Sequence, residues 1–383
     1  MAAPKKLNPP FRADHVGSLL RPQRLLEARE RAGLVAESAQ EAQGGGDLST
    51  EELRAVEDSC IREAVKFQEE VGLQSITDGE YRRASWAYDV LERIEGVVLR
   101  RQQGAFQFSN TGSRPPIACT DAKLRRPERG IVLFEYRFVK PLTKRTVKAT
   151  MPSPTLLYVR GWRDGVSRTA YPDIEEFFTD LGRVYREEIA ALAKDGCTYV
   201  QIDNTDAALI CDPKFQEMVR AQGMEPKDQI RLQGRLISAA TQGRPPNVTV
   251  SMHLCRGNSA GNWMAQGGYE FVAETLFNAF DVDAFFLEYD TPRAGDFSPL
   301  RFAPKDKLIV LGLLTTKTPE NDSKDTLKRR IDEAAKYVPI ECLALSPQCG
   351  FASVAKGNPI TFDDQRRKLA LIVETADEVW GNA

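Results

Sequence analysis

Short apolar runs alternate with longer amphipathic stretches along most of the chain, which is the pattern of repeated β-α units. The apolar runs predict eight strands: residues 12–18, LQSITDGE (ending near Thr77), RTVKATMPSP, CTYVQID, NVTVSMH, VDAFFLE, KLIVLGLL and IECLALS. The amphipathic stretches predict helices from Ser49 or Thr50 to about Glu70, and at about 175–194, 227–241, 269–280, 324–337 and 363–379. No internal repeat is visible.

Eight buried strands with intervening helices predict an α/β fold of the (β/α)8 TIM barrel type. A doubly wound sheet is the alternative, but the phosphate-binding glycine fingerprint that it often carries is missing after every predicted strand. We interpret residues 1–383 as one catalytic barrel. The chain is longer than a minimal barrel, and part of the extra length falls in residues 98–145. There GAFQFSNTGS and IVLFEYRFVK predict an inserted β-hairpin after the second β-α unit, lying over one mouth of the barrel.

Composition narrows the class of protein. A formal net charge of −2 gives no indication of a basic surface that binds nucleic acid or an anionic membrane. No apolar run is long enough to cross a bilayer or to act as a secretory signal. Seven scattered cysteines do not form a disulfide framework. We therefore expect a reduced, cytoplasmic protein without nucleic-acid or membrane partners.

Metal-binding residue types follow three of the predicted strands. In a barrel the chemistry gathers at the carboxyl ends of the strands, and His253, Cys255, Glu288 and Cys349 all fall there. One imidazole, two thiols and one carboxylate suit a tetrahedral Zn²⁺. Each residue also has an ordinary explanation, as a core cysteine, a buried histidine or a solvated glutamate. Ligands spread over separate strand ends suit a catalytic metal better than a structural one, which would use close cysteine pairs.

The composition of this ligand set indicates the reaction. Two thiolates and a carboxylate would bring three negative charges to the dication, which makes it a poor Lewis acid for activating water. The same set would deprotonate a substrate thiol and leave its sulfur electron-rich. The set therefore predicts alkyl transfer to a thiol.

Six sequence blocks, in order, carry a family resemblance: HVGSLLRP, TDGEYRR, QIDNTD, HLCRGN, GLLTTKTPE and LSPQCGFAS. With them the chain resembles the catalytic C-terminal half of cobalamin-independent methionine synthase, and more closely the short single-barrel relatives in the uroporphyrinogen decarboxylase and methionine synthase-like superfamily. The resemblance runs from FRADHVGSLLRP to the C-terminal helix, and the blocks are specific only when taken together.

The resemblance implies a zinc-bearing barrel in which the four residues above match the metal-ligand positions. It also implies that Ser18, Glu80 and Asp203 match residues that hold the amino-acid part of homocysteine. Glu80 and Asp203 would pair with the ammonium group, while Gly17 and Ser18 would offer backbone hydrogen bonds to the carboxylate. The alternative for Glu80 is a structural salt bridge to a basic residue such as Arg83.

Three departures from the full-length synthase modify this expectation. The N-terminal half that helps to bind folate is absent, so we predict a corrinoid protein or a small methylated compound as the donor. Lys317 stands where the family has a catalytic histidine, and it would act as an acid, bind an anionic substrate group or be a surface charge. Asp203 is followed by Asn204-Thr205 instead of an acidic residue and proline. His15 is a second candidate catalytic residue, with a buried core histidine as the alternative.

These observations favour a zinc-dependent methyltransferase that converts homocysteine, or a similar small thiol, to its methyl thioether. Three alternatives stay open: an epoxide:thiol transferase acting on a coenzyme M-type thiol, a metal-free lyase resembling uroporphyrinogen decarboxylase, and a barrel that only binds a ligand. The methyltransferase function predicts a small-molecule thiol as partner, with a corrinoid protein as methyl donor, and a homo-oligomer is compatible with it.

Overall fold

A curled sheet of parallel strands forms the centre of the protein, in a computed structural model that describes residues 9–34, 47–100 and 115–381. Seven strands follow one another in the order β1 (Ser75–Ile76), β4 (Thr146–Pro152), β5 (Tyr199–Asp203), β6 (Thr249–Leu254), β7 (Ala284–Glu288), β8 (Leu308–Leu314) and β9 (Leu343–Pro347). Every neighbouring pair is parallel. These strands lie where the sequence predicts the second to the eighth.

The segment before Gly17 closes this sheet into a barrel. Ala13 forms a parallel bridge with Leu345 of β9. On the other side of the segment, the His15 ring nitrogen Nε2 lies 3.0 Å from the Ser75 carbonyl oxygen of β1. The predicted first strand therefore occupies the eighth position, but it forms a single bridge because the chain turns at Gly17, whose φ is +139°. The closed parallel arrangement confirms the (β/α)8 barrel.

Twelve α-helices in the described residues accompany the strands: α1 (Gln23–Arg31), α2 (Thr50–Val71), α3 (Tyr88–Leu91), α4 (Leu133–Val139), α5 (Leu156–Val159), α6 (Ile174–Lys194), α7 (Asp206–Leu209), α8 (Pro213–Ala221), α9 (Pro226–Thr241), α10 (Ala273–Ala279), α11 (Lys324–Ala334) and α12 (Phe362–Trp380). The predicted helices are confirmed, except that 269–280 is divided into a 3₁₀ turn and α10. The start of α2 follows the predicted capping: the Ser49 hydroxyl accepts from the Glu52 backbone, and the Glu52 carboxylate accepts from Ser49 N–H. No helix among these is long and apolar enough to cross a membrane.

The inserted region contains an antiparallel pair, β2 (Glu95–Arg100) and β3 (Ile117–Arg125). The first predicted hairpin strand, GAFQFSNTGS, lies outside the described residues. The prediction that IVLFEYRFVK forms the second hairpin strand is wrong, because this segment forms α4. The reason lies outside the segment: the Glu188 carboxylate of α6 accepts hydrogen bonds from Val132 and Leu133 N–H, at 2.7 and 2.8 Å, and so caps the start of α4.

Candidate functional site

Three predicted metal ligands meet at the carboxyl ends of the barrel strands. His253 is near the end of β6, Cys255 follows that strand directly, and Cys349 follows β9 by two residues. Residues i and i+2 of a strand point to the same face, which brings the imidazole and the first thiol together. The three side chains are buried, and their ligand atoms all lie within 4.8 Å of one another. The two Sγ atoms are 3.9 Å apart.

This spacing fits a tetrahedral metal ion. Zn–S bonds of about 2.3 Å at the tetrahedral angle place two thiolates about 3.8 Å apart, close to the separation of the two sulfurs. The two thiols differ in acidity, because the contact with Cys349 and burial raise the pKa of Cys255. The contact with Cys255, together with the positive neighbours His253 and Lys317, lowers the pKa of Cys349 to about 6 despite burial. The residues present therefore suit a soft divalent cation with one coordination position left for another ligand.

His253 is oriented by two partners. Its Nδ1 lies 3.2 Å from Oδ1 of Asp203, the residue beside it on β5, and its Nε2 lies 3.1 Å from the Gln348 carbonyl oxygen. Burial lowers the pKa of His253, but the Asp203 hydrogen bond and the negative charge of Cys349 outweigh it and raise the pKa to about 9. A carboxylate on one ring nitrogen is the usual support of a metal-binding histidine.

Glu288, the fourth predicted ligand, lies outside the group of three whose ligand atoms converge. Its Oε1 accepts from Lys317 Nζ at 3.3 Å and from the Arg293 guanidinium, and its Oε2 accepts from Arg256 N–H at 2.5 Å. Burial opposes ionisation of this carboxyl, but Lys317, Arg256 and Arg293 outweigh burial and lower its pKa to about 2. Glu288 is therefore an ionised carboxylate held by cations next to the cluster, and its role as a ligand stays a prediction.

A cleft with about 730 Å³ of space, partly open to solvent, lies over the three ligands, and Ser18, Glu80 and Asp203 also line it. Burial and the negative charges of Asp203 and Asp78, opposed by Arg83, raise the pKa of Glu80 to about 7.

Glu80 has one paired and one unpaired oxygen. Its Oε1 accepts from Thr150 Oγ1 at 3.0 Å and lies 3.4 Å from Arg83, so the salt-bridge alternative holds for this atom. Its Oε2 is buried without a hydrogen-bond partner among the described residues. Gly17 makes this arrangement feasible, because a Cβ there would lie 2.9 Å from Thr150 Cγ2 and 3.1 Å from Glu80 Oε1. A positively charged hydrogen-bond donor in the cleft would pair with this free oxygen.

Ser18 lies against the loop that carries Cys349. Its hydroxyl accepts from Ala352 N–H at 3.3 Å, and its carbonyl accepts from Phe351 N–H at 3.0 Å. A Cβ on Gly350 would lie only 1.9 Å from the Ser18 hydroxyl, so the two loops approach too closely for any larger residue there. The first barrel segment and the last ligand are thus held together at the cleft.

The two candidate catalytic residues occupy different places. Lys317 is buried, with Nζ 3.3 Å from Glu288 and 3.6 Å from Asp290, so the alternative of a surface charge is wrong. Burial lowers the pKa of Lys317, but Glu288 and Asp290 outweigh burial and raise it. His15 is buried inside the barrel and is not among the residues that line the cleft. Its position matches a core histidine and gives its predicted catalytic role no support.

Two buried arginines at the site were missed by sequence reasoning. Arg256 donates to the Glu288 carbonyl oxygen at 3.2 Å and is fully buried. Arg160 lines the cleft and donates to Asp206 at 3.0 Å and to Tyr88 OH at 2.6 Å. Arg256 directly follows Cys255 in the block HLCRGN, which was an available signal, whereas Arg160 lies in no block that pointed to the site.

The fold and the site define a (β/α)8 barrel with a candidate His/Cys/Cys metal centre in a cleft at its strand ends. The chain belongs to the methionine synthase-like methyltransferases, because the family described as "Cobalamin-independent synthase, Catalytic domain" matches residues 34–377.

The chain is also similar to individual proteins over most of its length. The chain is 39% identical over 378 residues to the uncharacterized protein YxjH of Bacillus subtilis (strain 168), covering 98% of this chain and 96% of that one. A crystal structure described as the "Putative Vitamin-B12 Independent Methionine Synthase" from Listeria monocytogenes superposes with a TM-score of 0.73 at 33% identity, covering 97% of this chain and 98% of that one. The 5-methyltetrahydropteroyltriglutamate–homocysteine methyltransferase of Candida albicans is 24% identical over 87% of this chain, which spans 39% of that protein.

Proposed function

We propose that this protein is a zinc-dependent methyltransferase that acts on the thiol of homocysteine or a similar amino thiol. The observation that carries the proposal is the convergence of His253, Cys255 and Cys349 on the cleft. Zinc bound there would hold a substrate thiol as a thiolate, and the anionic ligands would leave its sulfur nucleophilic. Asp203 would keep the His253 ring in place through its contact with Nδ1.

The walls of the cleft would position the amino acid. The unpaired Oε2 of Glu80 would accept a hydrogen bond from the substrate ammonium group, with Asp203 as the second carboxylate. The backbone at Gly17 and Ser18 would face the substrate carboxylate. An acceptor without an amine, such as a coenzyme M-type thiol, would leave Glu80 Oε2 without a partner, which favours an amino thiol.

Lys317 would act as a fixed positive charge. Its ammonium group lies between Glu288 and Asp290, and two carboxylates hold its proton in place. This arrangement favours charge compensation next to the metal ligands over proton donation to a leaving group. Glu288, with its charge balanced by three cations, would then be either a ligand or a nearby anion.

The experiment combines metal analysis with an assay of methionine formation from homocysteine. We expect about one zinc per chain and turnover that is faster with homocysteine than with coenzyme M. Methylcobalamin, a small methylated sulfur compound and methyltetrahydrofolate, offered in parallel, test the predicted non-folate donor. Cys349→Ser should lose both zinc and turnover, whereas Cys342→Ser, at a buried cysteine outside the cluster, should keep both. A wild-type protein that binds no zinc, as the metal-free lyase alternative requires, or a Cys349→Ser variant that keeps zinc, would contradict the proposal.

A further inference from the structure

A second cavity lies behind the loop that carries Glu80. It contains about 1000 Å³ of space, part of it open to solvent. We call it the arginine pocket, since five arginines line it together with three carboxylates and one aromatic ring: Arg29, Arg54, Arg82, Arg93, Arg129, Glu57, Asp89, Glu92 and Phe134. They come from α1, α2, α3 and α4 and from the segments between them.

One carboxylate in the pocket is the shared ion-pair partner of three guanidinium groups. Glu57 lies 3.5 Å from Arg29, 3.3 Å from Arg82 and 3.7 Å from Arg54. Arg82 has a second partner in Asp58, at 2.6 Å. Arg29 and Arg54 share the carboxylate of Glu57 with Arg82, so the positive charge on this wall is only partly neutralised.

Arg129 also lines the pocket and forms no ion pair within the described part of the chain. Its guanidinium lies 5.0 Å from the centre of the Phe134 ring, and the Arg93 guanidinium lies 4.9 Å from the same ring. Burial and the positive charges of Arg93 and Arg54, opposed by the negative charge of Glu135, lower the pKa of Arg129. Arg93 is paired with Glu135 at 2.9 Å and Arg54 with Glu57 at 3.7 Å. Arg129 is therefore the cation of these three without a carboxylate partner among the described residues, and an anion beside it would supply one.

Buried donors in the pocket are also unpaired. The side chains of Arg29 and Arg82 are each 5% exposed, and the Nε–H of each lacks a partner among the described residues. The first helical residue of α2, Thr50, also lines the pocket, and the positive end of the dipole of this 22-residue helix favours an anion there. Asp89 contributes an unpaired acceptor, Oδ1, to the same lining.

The arginine pocket and the cleft share a thin wall. Ser85 and Tyr88 line the cleft, whereas their chain neighbours Ala84 and Asp89 line the pocket. The arginine pocket and the cleft are therefore two separate cavities.

We propose that the arginine pocket binds a small molecule carrying a multiply charged oxyanion, either a phosphate ester or a polycarboxylate. Of the five lining arginines, Arg82 and Arg93 have carboxylate partners outside the lining, Asp58 and Glu135. Among the ion pairs of the described residues, the other three arginines share only Glu57, so these are the guanidinium groups that an oxyanion would contact. Guanidinium groups form paired hydrogen bonds to both phosphates and carboxylates. Titration with one anion of each kind therefore distinguishes the two.

The test is isothermal titration of the full-length protein with pyrophosphate and, separately, with citrate. We expect saturable binding at one site, weakened by salt, and the tighter of the two anions identifies the ligand as phosphate-like or carboxylate-like. Arg129→Gln and Arg54→Gln should each weaken binding by about tenfold or more, because a charge-assisted contact is lost. The matched control is Arg231→Gln, at an exposed arginine that is paired with Asp228 and is not among the lining residues, and it should bind as the wild type does.

Urea unfolding separates binding from folding. Arg54 is 44% exposed, so Arg54→Gln should keep the wild-type unfolding midpoint. No saturable binding of either anion at about 10 mM would overturn the proposal. Equal weakening by the control variant, or wild-type affinity in a folded Arg129→Gln, would overturn it as well. Activity toward thiols does not enter this readout.

Discussion

The two histidines of the chain lie in two polar clusters of the same barrel, and their surroundings shift their pKa values in opposite directions. At the rim, Asp203 and Cys349 outweigh burial and raise the pKa of His253 to about 9. In the interior, burial and the positive charge of Lys148 outweigh Asp14 and lower the pKa of His15 to about 3. The sign of the nearest charges decides the outcome, since both rings are buried.

The two clusters also differ in how completely their polar groups are paired. In the interior cluster, Asp14 accepts from Lys148 at 2.8 Å, from Ser75 at 2.7 Å and from Tyr199 at 2.9 Å, as well as from His15 N–H. At the rim, by contrast, Glu80 Oε2 and the Gln348 amide nitrogen have no hydrogen-bond partner in the described structure, and the Asp290 oxygens have none beyond the ion-pair contacts with Lys317 and Arg293. A fully paired cluster holds the fold together, whereas unpaired buried groups indicate a place for a ligand.

The largest expected effect tests the structural role of the interior cluster. The Lys148–Asp14 pair is fully buried, with both side chains 0% exposed. Lys148→Met would leave the Asp14 carboxylate without its counter-charge, and we expect a loss of about 3–5 kcal/mol in the free energy of unfolding, measured with urea. The control Lys66→Met removes an exposed lysine paired with Glu70 and should cost less than about 1 kcal/mol. Similar losses in the two variants would contradict a structural role for the interior pair.

The second prediction concerns the pH dependence that His15 confers. The unfolded chain protonates this ring near pH 6.5, but the folded protein does so only near pH 3. Between these values the unfolded state binds one more proton, so stability falls as the pH falls, by about 1.4 kcal/mol per pH unit for this group. Urea unfolding with EDTA at pH 6 and pH 4.5 should show about 2 kcal/mol less of this loss in His15→Gln than in the wild type. An unchanged pH dependence would show that His15 is not the buried neutral ring described above.

Much of the barrel and its rim cluster followed from sequence. Buried apolar runs located seven strands, because a strand inside a barrel is covered on both sides. The spacing of His253 and Cys255 placed two metal-binding side chains on one face of a strand end, and Cys349 joined them once the barrel was assumed.

Other features depend on residues that are distant in the chain. Whether IVLFEYRFVK forms a strand or a helix is decided by Glu188, which caps α4 from a different helix. The interior position of His15 depends on the turn at Gly17, although His15 is a near neighbour of Ser18, which lines the cleft. The arginine pocket was equally hidden, since its five arginines come from separate elements and no local pattern connects them.

The smallest expected effect concerns Gln201, which joins the two clusters. Its amide nitrogen donates to Asp203 Oδ1 at 2.8 Å, and its Oε1 accepts from Lys148 at 3.2 Å. Gln201→Met keeps the bulk of the side chain but removes these contacts and the hydrogen bond to the Val16 carbonyl oxygen, and we expect a loss of about 1–2 kcal/mol in unfolding free energy.

The same variant measures how far the interior cluster supports the proposed metal site. Loss of a group that contacts a metal-binding histidine directly typically weakens metal binding by about 10–100-fold. Gln201 acts one step further away, through Asp203 on His253, so Gln201→Met should weaken zinc binding by less than about tenfold in a competition titration with a chelator. Asp203→Asn provides the larger reference effect. Unchanged zinc affinity in Gln201→Met, despite a measurable loss of stability, would show that the two clusters are energetically independent. Asp203 would then hold the His253 ring without help from Gln201.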